Sequence, residues 1–217
     1  MQSETTIPLF PLGVVLLPAM VLPLHIFEER YKLMIGECLR QDKEFGIVYA
    51  DDKETMEKGC TAKTIKVIKR YDDGRMDILT QGQQRFEIKH LVDDKAYLQA
   101  SVVYFDDAEE KKTKDLDKLI SVGLELLKEL DRLMGKSTDY GLASNLDFKT
   151  ISFLMAYNDG FTPTEKQGFL EMTSTRERIT QSVELLKKKI EITKISREIK
   201  KITGGNGDIR KRVPKTP

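Results

Sequence analysis

The sequence predicts an α+β fold, in which a β-rich half-barrel with one early helix precedes a helical bundle that ends in a long helix. Two observations predict it. Short apolar or alternating segments dominate the first 107 residues, with a single stretch of helical periodicity among them. After residue 107 the chain becomes highly charged, and every later periodic segment has helical spacing. We therefore expect a β-rich domain over residues 1–107, a helical bundle over 108–203 and a disordered basic tail over 204–217.

The chain opens with an apolar run whose prolines argue against a membrane helix. Residues 7–27 contain no charged side chain, and their length would suit a membrane span. Four prolines interrupt the run, and each lacks an N–H donor and fixes φ. Residues 1–6 contain no Lys or Arg, which argues against a secretory signal. Three short strands are expected instead, at residues 9–10, 14–17 and 21–26.

The next segments predict one helix and a series of strands. Apolar residues recur three or four apart between residues 28 and 39, which indicates a helix with one apolar face. Residues 61–71 alternate, with Ile65 on the apolar side and lysines on the other, and Asp73 and Gly74 predict a hairpin turn. Residues 51–59 are polar and predict a loop. Strands are expected at residues 45–49, 61–71, 76–79, 85–88 and 97–104.

Helices are expected over residues 112–134 and 148–157, from residue 162, and from residue 174 to the glycines at 204–207. Thr162 with Glu165 has the spacing of a capping box, and so has Ser174 with Glu177. At about 1.5 Å per residue the last helix would be about 40 Å long, more than a small bundle needs. Its apolar stripe is expected to run through Ile179, Val183, Leu186, Ile190, Ile195, Ile199 and Ile202.

Motifs for catalysis, metal binding and cofactor binding are absent from the sequence. The two cysteines have no CxxC spacing, and with only two histidines a zinc site lacks its usual ligands. Gly135 begins a Gly-Lys-Ser sequence, but the glycine that a phosphate-binding loop needs five positions earlier is Leu130. Adjacent acidic pairs, such as Asp106 with Asp107, are interpreted as turn formers. We therefore expect a non-enzymatic protein with no metal and no cofactor.

Charge is distributed unevenly along the chain. Residues 1–175 carry 23 Lys and Arg against 30 Asp and Glu, whereas residues 176–217 carry 13 against 5. The β-rich part is therefore not predicted to bind nucleic acid. The basic end is interpreted as a solvated helix face, with contact to an acidic partner or to nucleic acid as the alternative.

The order and spacing of several blocks resemble the N-terminal substrate-binding domain of Lon proteases. The opening has Pro-Leu-Phe-Pro-Leu at residues 8–12 and Met-Val-Leu-Pro-Leu at residues 20–24. Gly82 and Arg85 match a Gly-x-x-Arg pattern of that family. The resemblance covers nearly all of residues 7–192. Further matching blocks lie at residues 28–31, 59–62, 73–75 and 165–171, and at Arg178.

This resemblance implies a PUA-like β-rich domain, a helical bundle, and a docking surface for unfolded or tagged protein. In Lon proteases the ATPase and the peptidase lie in later domains, and we expect neither in this chain. We therefore predict a stand-alone cytoplasmic protein that binds unfolded or exposed hydrophobic protein segments, as a substrate-recognition or adaptor module without catalysis. A protease or a chaperone would be its further partner, and no membrane partner is expected.

The peptide-binding surface is predicted at the proline-framed corner before the third strand, because a methionine on such a bend suits contact with varied side chains. A structural interpretation is also open, in which Met20 packs in the core and Phe27 and Tyr31 brace the helix on the sheet. Arg85 is expected to form an architectural ion pair with Glu28 or a nearby acid. The candidate peptide-binding residues are Leu17, Met20, Val21, Phe27 and Tyr31.

Two alternatives remain open, and the oligomeric state is not predicted. One is RNA or ribonucleoprotein binding, because PUA-like sheets also occur in RNA-binding proteins. The other is self-association through the heptad-like stripe from Ile179 to Ile190. The basic residues that would serve RNA binding are Lys187, Lys188, Lys189, Lys200, Lys201, Arg210, Lys211 and Arg212.

Overall fold

A computed structural model describes residues 3–111 and 113–205 and confirms the α+β fold class. Residues 206–217, most of the predicted disordered tail, lie outside the described residues. No helix in the described part of the chain is both long and apolar enough to cross a bilayer. The elements are β1 (Thr5–Leu12), β2 (Val21–Ile26), α1 (Glu29–Gln41), β3 (Phe45–Ala50), β4 (Thr55–Arg70), β5 (Met76–Val92), β6 (Gln99–Phe105), α2 (Lys114–Leu133), a short 3-10 helix (Gly141–Asn145), α3 (Phe148–Ala156), α4 (Pro163–Glu171) and α5 (Thr175–Gly205).

The sheet closes into a small barrel, where the sequence predicted a half-barrel. β1 pairs in parallel with β3, and antiparallel pairings then link β3 to β4, β4 to β5, β5 to β6 and β6 back to β1. β2 pairs only with the first part of β5. β4 and β5 therefore continue beyond the barrel, and residues 63–70 and 76–81 form with β2 a three-stranded extension that we call the ribbon.

Apolar side chains pack on both faces of the sheet. Phe86 fills the barrel interior, where its ring comes so close to Gly46 and Gly59 that an added Cβ would lie 2.7 Å and 2.6 Å away. The opposite face packs against α1, where Tyr31 stacks on Phe10 at 4.0 Å between ring centroids. The core on this face continues without interruption into the helical bundle, and the domain boundary at residue 107 stays a prediction.

The predicted strand at residues 14–17 is wrong, because this segment forms an irregular connection from β1 to β2 in which residues 15–17 are buried. The connection turns at Ala19, whose φ of 64° is left-handed. The Ala19 N–H donates to the Gly82 carbonyl at 2.8 Å, and the Gly82 N–H donates to the Met20 carbonyl at 2.9 Å. A Cβ on Gly82 would lie 2.2 Å from the Leu17 carbonyl oxygen, so only glycine allows this close approach.

The helix starts follow the predicted capping. Thr162 and Glu165 form a complete capping box at α4, and the Glu177 N–H donates to Ser174 Oγ at the start of α5. The predicted continuous stripe along α5 is wrong. The four stripe residues Ile179, Val183, Leu186 and Ile190 are buried in the bundle, so they cannot pair with a second copy as proposed for self-association. Ile195, Ile199 and Ile202 lie on the opposite side of the helix, since each residue turns it by about 100°, and they are exposed, as are all residues from 194 to 203.

A buried cluster of two arginines and one aspartate joins the barrel to the bundle. Arg85 on β5 donates to Asp107 Oδ1 at 2.5 Å and to the Leu170 carbonyl at 2.9 Å. Arg178 on α5 donates to both carboxylate oxygens of Asp107, at 2.6 Å and 2.9 Å, and its guanidinium lies 3.8 Å from the centroid of the Phe153 ring. Burial raises the pKa of Asp107, but the hydrogen bonds from Arg178 and Thr175 outweigh it and the net shift is downward.

Two expectations concern residues of this cluster. The architectural ion pair of Arg85 is confirmed with a nearby acid, Asp107, and not with Glu28, which pairs with Arg30 at 2.8 Å. Asp107 is not a solvated turn former, since its side chain is only 5% exposed. Asp106, its neighbour, is exposed and pairs with Lys149 at 2.5 Å. Local sequence could not distinguish the two aspartates, because their difference comes from an arginine 71 residues away in the chain.

Replacing Gly82 with alanine should destabilise the protein by about 1–3 kcal/mol, because the new methyl group would collide with the Leu17 backbone. Gly168→Ala is the matched control. Gly168 lies inside α4, and apart from the backbone of its own helix no atom would lie within 4 Å of an added Cβ, so this change should stabilise by up to about 1 kcal/mol. The midpoints of urea unfolding measure both effects. Equal midpoints for the two variants would contradict the close approach at Gly82.

Replacing Asp107 with alanine should cost about 3–5 kcal/mol, because two buried guanidinium groups would lose their only shared carboxylate. Asp106→Ala, at an exposed carboxylate, should cost less than about 1 kcal/mol. The folded-state pKa of Asp107 is lowered, so its contribution is present above the unfolded pKa of about 3.9 and is lost as the pH falls through the folded pKa. Urea unfolding of wild type and Asp107→Ala should therefore converge in acid; a constant difference from neutral pH to acid would exclude this role.

Candidate functional site

The ribbon has one buried face and one open face. Ile26, Met76 and Ile78 point into the core, and because strand side chains alternate, the residues between them lie on the other side. We call this other side the ribbon face. Strand pairing aligns its side chains in three rows, called rungs here, and each rung has one residue from β2, one from β5 and one from β4. The rungs are Val21, Gln81 and Lys63; Pro23, Leu79 and Lys66; and His25, Asp77 and Lys69.

The structure separates the predicted peptide-binding residues into two groups. Leu17, Met20 and Tyr31 are buried, so they support the fold and offer no surface to a peptide. Leu17 and Met20 are held in the corner on Gly82, and Tyr31 is stacked on Phe10. Val21 and Phe27 are 39% and 58% exposed, and both belong to the outward side of β2 and its continuation. Only these two remain as proposed contact residues.

Aromatic side chains and cations cluster at one end of the ribbon face. The His25 ring lies nearly parallel to Phe27 at 5.9 Å and edge-on to Tyr71 at 6.0 Å. His25 Nδ1 lies 2.6 Å from one oxygen of Asp77, and the Tyr71 hydroxyl donates to the other at 2.8 Å. These two hydrogen bonds lower the pKa of Asp77. The Lys69 ammonium lies 4.4 Å from the centroid of the Tyr71 ring. The only carboxylate on the face is therefore already partnered.

Two β-bulges in β4 expose two isoleucines. The sequence pattern placed Ile65 on the apolar side and left Ile68 unassigned. The pairing of β4 with β5 shifts register between Thr64 and Lys66 and again between Val67 and Lys69. The extra residues are Ile65 and Ile68, which are 48% and 56% exposed. Bulges re-aim side chains and are frequent at sheet edges. The sequence analysis placed Ile65 on the apolar side, but Ile65 is the extra residue of a bulge and its side chain is exposed.

Neither edge of the ribbon offers a regular backbone ladder. The Val21 carbonyl accepts a hydrogen bond from the Tyr157 hydroxyl at 2.8 Å, so it points away from β5 and is already satisfied. Pro23, two residues later, faces the same edge and has no N–H to donate. On the opposite edge, the two bulges in β4 interrupt the spacing of donors and acceptors. The ribbon face therefore presents side chains, and its edges are poor templates for an added strand.

A separate, concave surface lies where the barrel meets the bundle. It consists of two adjoining clefts of about 370 and 470 Å³ that share Pro18, Gln83 and Lys149. Lys149, the lysine that both clefts share, already forms an ion pair with Asp106 at 2.5 Å. Pro18 and Ala19, the half-buried part of the predicted corner, line this cleft together with Gln81, where it adjoins the first rung of the ribbon face.

The described residues offer little for catalysis or metal binding. Within residues 3–111 and 113–205, no three His, Cys, Asp or Glu side chains are grouped so that they could hold a metal ion. Both thiols are buried. Burial raises the pKa of the Cys38 thiol to about 11 and also raises that of Cys60, which opposes thiolate formation in both.

A family model described as the ATP-dependent protease La (LON) substrate-binding domain matches residues 6–188. The Lon protease of Flavobacterium johnsoniae is 23% identical over 215 residues, a match that covers 91% of this chain and 26% of that protein. Lon protease 2 of Myxococcus xanthus is 28% identical over 210 residues and is matched over 25% of its length by 89% of this chain. The chain thus spans about a quarter of the length of the curated relatives it matches.

Two solved structures have a similar fold. The Lon N-terminal domain protein from Xanthomonas campestris superposes with a TM-score of 0.64 at 21% identity, covering 82% of this chain and 96% of that one. The N-terminal domain of the Lon protease of the Mycobacterium avium complex gives 0.65 at 19% identity, covering 84% and 98%. At these identities the likeness is one of fold alone.

Proposed function

This chain belongs to the LON substrate-binding domain family, and we propose that it binds unfolded or exposed hydrophobic segments of other proteins without catalysing a reaction. The family match over residues 6–188 is the observation that carries the proposal. The protein would act as a recognition or adaptor module that presents such segments to a protease or a chaperone. The activity of the full-length relatives is not proposed for this chain.

The ribbon face is the surface that suits this function best. It is an open three-stranded surface, and strand spacing makes it about 10 Å wide from β2 to β4 and about 20 Å long. That size accommodates about six residues of an extended chain. Val21 and Phe27 offer exposed apolar area, and unfolded segments are rich in the apolar side chains that would cover it. Because the surface is open rather than enclosed, it tolerates varied side chains.

The RNA-binding alternative has no specific observation in its favour. On α5, Lys189 pairs with Glu165 at 3.1 Å and Lys194 pairs with Glu129 at 2.6 Å, so part of the basic helix is engaged with the protein's own acids. The relatives described above are proteases. RNA is therefore kept as a competitor in the experiments below.

The purified protein should bind a labelled, permanently unfolded polypeptide with a micromolar Kd, measured by fluorescence anisotropy. Replacing Val21 and Phe27 together with serine should weaken binding about tenfold or more, because both exposed apolar contacts are lost. Leu91→Ser is the matched control, since Leu91 is 60% exposed at the far end of β5.

The outcomes separate the function from the surface. No binding by wild type at high micromolar concentration would reject the proposed function. Binding that is unchanged in the Val21→Ser, Phe27→Ser variant, or that is equally reduced by Leu91→Ser, would place the contact elsewhere on the protein. Urea unfolding of each variant checks that the fold is retained.

A further inference from the structure

The ribbon face carries a lysine on each of its three rungs, and we propose that it selects extended segments in which acidic residues are interspersed with aliphatic or aromatic ones. This inference rests on the proposed function and adds the chemistry of the segment that is bound. It also states how the segment is recognised, which is through its side chains and not by addition of a strand to the sheet.

The lysine column is a local feature that the composition of this part of the chain does not explain. Residues 61–70 carry four cations and no acid, whereas residues 1–175 as a whole have more acids than bases. Lys66, on the middle rung, has no ion-pair partner among the described residues, and it is exposed. Lys69 is exposed and lies over the Tyr71 ring, whereas Lys63 is half-buried and already pairs with Asp42 at 3.1 Å. An arriving carboxylate would therefore meet available ammonium groups at Lys66 and Lys69.

Apolar side chains flank the lysines on both sides. Val21 and Phe27 mark the β2 side, and the bulged Ile65 and Ile68 mark the β4 side. Strand spacing separates β2 from β4 by about 10 Å, so a single extended chain lying along the ribbon can reach both. Its carboxylates would pair with the lysines while its apolar side chains cover the flanks. A purely apolar segment would leave the ammonium groups partly desolvated without partners, which is unfavourable.

The two edges of the ribbon explain why the side chains of a bound segment, and not its backbone, determine its affinity. Strand addition needs a run of free backbone donors and acceptors. On β2 the Val21 carbonyl is occupied by Tyr157 and Pro23 lacks the N–H, and on β4 two bulges break the ladder. A segment therefore gains little from its backbone, and the charge and apolarity of its side chains determine its affinity.

Four labelled peptides of one length and with the same apolar residues test the proposal. In the first, Asp and Glu separate the apolar residues; in the second, Ser and Gln; in the third, Lys. The fourth is the acidic peptide with alternate backbone amides N-methylated. By fluorescence anisotropy at low salt, the acidic peptide should bind about tenfold tighter than the neutral one, and the basic peptide weaker than both. The preference should shrink as salt is raised. N-methylation should change the affinity by less than about threefold, since no strand is added.

Charge reversal locates the effect. The Lys66→Glu, Lys69→Glu variant should bind the neutral peptide better than the acidic one. The control Lys187→Glu, Lys188→Glu makes the same change of net charge at two exposed lysines of α5 and should keep the wild-type order. Persistence of the acidic preference in the first variant, or its loss in the control, would overturn the assignment to the ribbon face.

The remaining outcomes distinguish this inference from the function on which it rests. If no peptide binds, the proposed function itself fails. If all charge variants bind equally, the function stands and the selectivity is wrong. A large loss on N-methylation would show strand addition. Single-stranded RNA that displaces the acidic peptide from wild type, and binds less to the Lys66→Glu, Lys69→Glu variant than to the control, would assign the face to nucleic acid instead.

Discussion

One buried carboxylate, that of Asp107, fixes how the β-rich part and the helical part of this protein are arranged on each other. It faces the guanidinium groups of Arg85 and Arg178, which come from the barrel and from the last helix, and both arginine side chains are almost wholly buried. The two guanidinium groups also donate to carbonyls at the end of α4 and just after it, and Arg178 donates to the Ser152 hydroxyl on α3. Such a cluster adds little net stability compared with an apolar core, but an arrangement that breaks it leaves unpaired buried charge. Its main effect is therefore to exclude other packings of the barrel on the bundle.

This constraint reaches the ribbon through β5. Arg85 follows Gly82 by three residues, and Gly82 holds the corner at Ala19 from which β2 starts. When Arg85 is fixed on the bundle, Gly82 is fixed too, and the corner then sets the register of β2 on the first part of β5. Tyr157 adds a second attachment, because its hydroxyl reaches the Val21 carbonyl from the end of α3. The open face is thus built on a rigid support even though it lies beyond the closed barrel.

Much of the fold could be predicted from the sequence, because the elements concerned are determined by residues close together in the chain. β2, α1 and the capping box at Thr162 follow from a proline-divided apolar run, helical spacing and capping chemistry. The errors arose where distant contacts decide. The Ile65 bulge, the burial of Asp107 and the partner of Arg85 each depend on residues far along the chain. Of the five candidate site residues, Leu17, Met20 and Tyr31 are buried, and the sequence alone could not decide this, since exposure depends on packing. The break in the α5 stripe is different, because helical angles alone reveal it.

A surface that meets unfolded chains has a particular problem, because such chains readily add strands to any free sheet edge. A regular edge would bind them tightly and without selectivity, and it would also let copies of the module join edge to edge. In this protein a proline, an occupied carbonyl and two bulges remove that option, while the face between the edges stays open. Contacts through side chains alone are weaker, which would favour the release of a bound segment under the proposed function. The same bulges that disrupt the β4 edge also turn Ile65 and Ile68 outward, so edge protection and apolar contact area arise from one structural device.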